Sequence, residues 1–147
     1  MTAAVSAVTA LQGALAGEHA AVYGYGVVGA VLTGSAQSAP AEASARADWL
    51  AHQLARDNLE AMLTRLGATP VAASPAYQLP FPVTSAAAAV RLAATLEDGL
   101  TRAYLGVVAV SDPALRSFGA RAMQTAAGRA LAWSGTTQAF PGMPGGS

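Results

Sequence analysis

Cysteine and lysine are both missing from the 147 residues. The first absence excludes disulfides, thiolate nucleophiles and cysteine-ligated metals. The second leaves arginine as the sole basic residue beside histidine, and formal net charge is zero. No basic stripe results, so the electrostatic footprint of a nucleic-acid binder is lacking. Charge of either sign is scarce, at 11% of residues, and aromatics are scarcer still, at 6%. A long hydrophobic run is missing too. The best stretch, Ala20 to Leu32, is interrupted by tyrosines and glycines and falls short of the ~20 residues a membrane span needs. Met1 to Ala16 is apolar but has no basic leader. It reads as the start of a helix rather than a signal peptide. The expectation is a soluble, cytoplasmic protein with neither membrane nor nucleic acid as partner.

What is present is alanine. Hydrophobic residues reach 53%, and with so few aromatics the small side chains dominate. Alanine is the best helix former and lets helices approach closely. Composition and length together predict one all-α domain. Sparse surface charge predicts that a second subunit covers part of the molecule, giving a homodimer.

Four segments carry apolar residues at alternating spacings of three and four, the helical period. The first runs from about Thr2 to Thr33, with Val8, Leu11, Leu15, Glu18, Val22, Tyr25, Gly29 and Leu32 on its seam, and ends at Gly34. The second runs from about Pro40 to Leu66, with Ser38 as cap and Gly67 as stop. Its seam holds Trp49, His52, Arg56, Leu59 and Leu63. The third, about Ser85 to Val110, lines up Val90, Ala93, Glu97, Leu100, Tyr104 and Val107. The fourth opens at "SDPALRSF", with Ser111 or Asp112 as cap and Pro113 in the first turn, and stops at Gly135. These segments make one bundle over 1–135. A Gly/Pro-rich tail, 136–147, follows, with Phe140 placed to pin it to the bundle.

The connection between the second and third helices sets the topology. Residues 68–83 hold four prolines, Pro70, Pro75, Pro80 and Pro82. Proline favours extended geometry, and sixteen residues at about 3.1 Å each reach roughly 50 Å. A 27-residue helix is about 40 Å long. The segment can therefore travel the whole bundle and start the third helix parallel to the second, with Tyr77, Leu79 and Phe81 packing on the way. The predicted fold is two antiparallel hairpins joined by a long crossover, the ferritin-like variant of the four-helix bundle.

That topology puts Glu18, His52, Arg56 and Glu97 at one height, each on a seam. Two chemistries match such a layer. One is a buried ion network, Glu18–Arg56–Glu97 with His52 as hydrogen-bond partner, because buried charges need pairing. The other is a metal site. A di-iron carboxylate centre takes a Glu from each of two helices and a Glu-x-x-His from each of the others. Glu18, His52 and Glu97 meet half of that pattern, and carboxylate with imidazole suits iron or manganese. Trp49 stands where the paired Glu would be, Asp48 lies one position off that face, and the fourth helix has no Asp, Glu or His. The network is the preferred reading, with no cofactor and no catalytic residue. Tyr25 and Tyr104 reach the edge of the layer, and His19 points to a helix or subunit boundary. Gly24, Gly26 and Gly29 are expected to permit close helix approach.

The runs "LQGALAGEHAAVYGYGVVGA", "HQLARDNLEAML", "PAYQLPFPV" and "AFPG" resemble an alanine-rich ferritin-like domain family of high-G+C Gram-positive bacteria. The likeness extends from about Ala10 to Gly142. It implies a ferritin-like fold and no assigned activity. Membership of the ferritin-like superfamily implies iron or manganese chemistry, carried onto this sequence only at Glu18, His52 and Glu97. An iron- or manganese-dependent oxidoreductase is therefore the alternative function to a non-catalytic protein with a degenerate site.

Overall fold

A computed structural model describes residues 5–135. Among these the chain forms four α-helices and no strand: α1 (Ala7–Leu32), α2 (Ala39–Arg65), α3 (Ala86–Val108) and α4 (Pro113–Ser134), with a 3-10 turn at Ala36–Ser38. The expected pinning of the tail by Phe140 lies outside the described residues. The start of α1 is later than the apolar pattern predicts, because the Ser6 side chain accepts from the Thr9 amide and caps the helix there. Ser85 and Asp112 cap α3 and α4 in the same way. Ser38 does not: it makes no side-chain cap bond, and α2 instead continues from the 3-10 turn through Pro40 in its first turn. Gly67, at φ +76°, ends α2 with the Ala68 amide bonded back to the Leu63 carbonyl. That left-handed turn is one that glycine adopts without strain.

Helix directions follow from who touches whom. One apolar cluster joins Leu11 and Leu15 of α1 to Leu59 and Leu63 of α2 and to Leu100 and Val107 of α3. The other joins Tyr25, Val28 and Leu32 to Ala45, and to Ala89, Leu92 and Ala93. The start of α1 thus meets the ends of α2 and α3, so α2 and α3 run parallel and α1 runs against both. The proline-rich connection makes this arrangement reachable. Its Val71 amide donates to the Gln12 side chain, which in turn donates to the Thr69 carbonyl. Further on, Tyr77 packs on Tyr23, Leu79, Phe81 and Val83 enter the second cluster, and Arg91 stacks over Phe81 at 4.0 Å.

α1 packs on α2 and α3, and α3 packs on α4. The α1–α3 approach is closest where glycine replaces a side chain. A Cβ on Gly17 would lie 2.7 Å from the Ala103 Cβ, and one on Gly24 would lie 2.6 Å from a Leu96 methyl. Gly26 and Gly29 do not share this role, since a Cβ on either meets nothing within 4 Å. Gly26 is exposed and Gly29 half-buried, although the period places Gly29 on the packing seam. The contrast is testable. Gly17→Ala should lower stability by about 1–3 kcal/mol, because Ala103 is fixed to its backbone and the helices must separate. Gly26→Ala should raise it by up to about 1 kcal/mol through helix propensity. Thermal melts of the two variants should move in opposite directions.

Candidate functional site

Between the two apolar clusters lies a polar layer with one residue from each of three helices. His52 of α2 sits at the centre. Its Nδ1 is 2.8 Å from Glu18 Oε2 and its Nε2 is 2.9 Å from Glu97 Oε1. Glu18 is 3% exposed, His52 1% and Glu97 0%. A tyrosine from each cluster turns its hydroxyl into the layer. Tyr104 donates to Glu18 Oε1 and Tyr25 donates to Glu97 Oε1, both at 2.6 Å. Tyr25 also stacks on the His52 ring at 5.1 Å between centroids. The remaining oxygen, Glu97 Oε2, is buried with no hydrogen-bond partner.

The electrostatics follow from this geometry. Burial is the largest influence on His52 and disfavours its charge, but hydrogen bonds to Glu18 and Glu97 and their negative charges outweigh it. Together they push the imidazole up to about 9. At neutral pH it is an imidazolium that donates from both nitrogens. Burial, reinforced by Glu97 for Tyr25 and by Glu18 for Tyr104, raises both phenols well above their ordinary value. Both stay neutral donors.

The fourth helix contributes residues that the sequence reading overlooked. Arg129 Nε lies 3.1 Å from Asp48 Oδ1, and Trp133 Nε1 donates to Asp48 Oδ2 at 2.9 Å. Tyr25 shares that second oxygen at 3.3 Å. Asp48 is therefore joined to the layer, one turn before His52, and it clasps α2 to α4. The signal was the spacing: Arg129 and Trp133 lie four apart on a helix with no acidic partner of its own. Arg56 corrects the expectation in the other sense. It does not face the glutamates but turns outward to Asp57, at 2.8 Å. A long side chain on the margin of a seam reaches water more cheaply than it reaches a buried carboxylate. The central cation is His52 instead. His19 is buried, and its Nε2 bonds the Val71 carbonyl of the crossover at 2.9 Å.

Glu18, His52 and Glu97 meet, but they do not converge as ligands. The two carboxylates grip opposite edges of one ring, so neither nitrogen is left to share a point with both. Among the described residues no group of three or more His, Asp or Glu is placed to hold a metal ion. Arg129 and Trp133 stand on the helix that would have to supply further ligands. The residues present do not fit a dinuclear centre.

On either side of the clasp, the seam between α2 and α4 is open. A pocket of about 480 Å³ lies on one side, bounded by Ser44, Asp48, Arg129 and Trp133. On the other side a pocket of about 190 Å³ reaches Glu18, His52 and Tyr104. The layer is thus buried but approached by a cleft.

Residues 10–145 match a family described as a domain of unknown function, DUF4439. The chain belongs to this family. A similar solved structure is that of a conserved hypothetical protein, rv2844, from Mycobacterium tuberculosis. It is 35% identical, with a TM-score of 0.77, over 85% of this chain and 92% of that one. No curated protein matches. The DUF4439 match spans Glu18, His52, Glu97 and Arg129, so the whole layer lies within the family domain. Among the described residues of this DUF4439 chain, no helix is long and apolar enough to cross a membrane.

Proposed function

We propose that this chain is a non-catalytic, ferritin-like bundle whose centre is a buried ion network, with the His52 imidazolium in the role that a metal ion plays in catalytic relatives of the fold. The parallel run of α2 and α3 and the long crossover between them support the ferritin-like part. One observation carries the non-catalytic part: both nitrogens of His52 are hydrogen-bonded to carboxylates. A ligand imidazole keeps one nitrogen for the metal. A homodimer belongs to the same reading, supported by Leu50 and Leu54, which are 50% and 62% exposed one turn apart on α2. Sedimentation of the purified protein measures it.

A metal-dependent oxidoreductase has one observation in its favour, the unpartnered Glu97 Oε2. Elemental analysis of protein purified without chelator separates the two. The expected result is far less than one iron or manganese per chain, unchanged in Glu18→Ala. A full equivalent that disappears in Glu18→Ala overturns the proposal.

A further inference from the structure

By formal count the layer holds more carboxyl groups than cationic side chains. Glu18, Glu97 and Asp48 bring three carboxylates, against one guanidinium, Arg129, and at most one imidazolium, His52. Arg56 is turned away to Asp57 and supplies nothing. Asp48 and Arg129 pair with each other, so the surplus falls on the Glu18–His52–Glu97 triad. Buried charge without compensation is costly. A positively charged guest would relieve it.

The route for such a guest is the pocket of about 190 Å³ in the α2–α4 seam, which reaches Glu18, His52 and Tyr104. Glu18 is 3% exposed, and its two oxygens each take one hydrogen bond, from Tyr104 and from His52. A carboxylate has about four acceptor positions, so Glu18 can accept from a further donor. The walls beside Glu18 are mostly hydrocarbon, from Leu100, Phe118, Ala122 and Ala126, with the Thr125 side chain among them. A bare inorganic cation takes about six or more oxygen ligands, and side-chain oxygens here come only from Glu18, Tyr104 and Thr125. An alkylammonium suits these walls: its N–H groups can reach Glu18, and its chain can lie against Phe118 and the alanines. Arg129 also lines this pocket but is neutralised by Asp48 at 3.1 Å. Size agrees, since an apolar cavity of about 150 Å³ takes benzene.

We propose that the α2–α4 pocket is a binding site for a short primary amine, held as its ammonium ion on Glu18 with its hydrocarbon against Phe118 and Ala122. The inference rests on the metal-free ion-network reading, and the two fail separately, because metal content tests that reading and amine binding tests this site.

The probe is n-butylammonium chloride, with sodium pentanoate as a chain-matched anion of opposite charge. Isothermal calorimetry on the full chain should detect butylammonium and not pentanoate. Chemical shifts of the His52 and Tyr104 rings should move with the same titration. Glu18→Gln keeps the side-chain shape and should weaken binding about tenfold or more, the loss of a charge-assisted hydrogen bond. Ala122→Leu fills the pocket from a partly exposed position on α4 and should abolish binding with the fold intact by circular dichroism. No heat and no ring shift with butylammonium, equal binding of pentanoate, or full binding to folded Ala122→Leu would each overturn the site. If Glu18→Gln fails to fold, Ala122→Leu alone decides.

Discussion

Replacing His52 with leucine should destabilise the protein by about 3–5 kcal/mol, the usual cost of removing one partner from a buried ion pair. His52 is the shared partner of both glutamates, at 2.8 and 2.9 Å. Leucine is of similar size, so the loss reports charge rather than a cavity. Domains of this size are held by about 5–15 kcal/mol in total, and the variant should sit near the edge of folding. Urea denaturation measures the loss. The same physics predicts a rescue. Removing the whole network at once, with Glu18→Leu and Glu97→Leu added to His52→Leu and Tyr25→Phe and Tyr104→Phe relieving the stranded hydroxyls, should restore most of the stability. Well-packed apolar groups often match or exceed a buried ion cluster. A His52→Leu variant that loses less than about 1 kcal/mol would sink the ion-network reading, because two buried carboxylates could not then depend on His52 for compensation.

The sequence held much of this layout in three-four spacing and in one loop. Four helices were legible because caps and stops punctuate them: Asp112 and Ser85 at starts, Gly67 and Gly135 at ends. The prolines of residues 68–83 revealed that α3 begins level with α2, and that alignment brought Glu18, His52 and Glu97 to one height. Periodicity could not say how a seam's margin behaves. Arg56 and Asp48 flank His52 on neighbouring faces of α2, yet the arginine turns out to Asp57 while the aspartate turns in to Arg129 and Trp133. The outcome depends on what α4 presents, and no spacing within α2 records that. Glycine roles were hidden for a similar reason. Gly24 and Gly26 are two residues apart, but only the first faces a neighbouring helix. Which helix lies beyond a glycine is a tertiary fact.

Stability should also fall as pH rises from about 6.5 to about 9, the ordinary and folded values for His52. The sign follows from the direction of the shift. The folded state holds the imidazole proton to higher pH than the unfolded chain does, so within this window folding retains a proton that unfolding releases. Below pH 6.5 both states are protonated and the contribution is fully present; as pH passes about 9 it is lost. At about 1.4 kcal/mol for each pH unit, the window is worth about 3 kcal/mol. Beyond pH 10 the decline should continue, because Tyr25 and Tyr104 are held neutral in the folded state while their unfolded counterparts ionise. Denaturant midpoints at pH 6 and at pH 9.5 measure the effect, with His52→Gln as control. The variant keeps hydrogen-bonding capacity but cannot titrate, so its midpoint should stay nearly level across the window. A wild-type midpoint equally level would mean that His52 carries no charge between its glutamates, and the network would lose the cation that balances it.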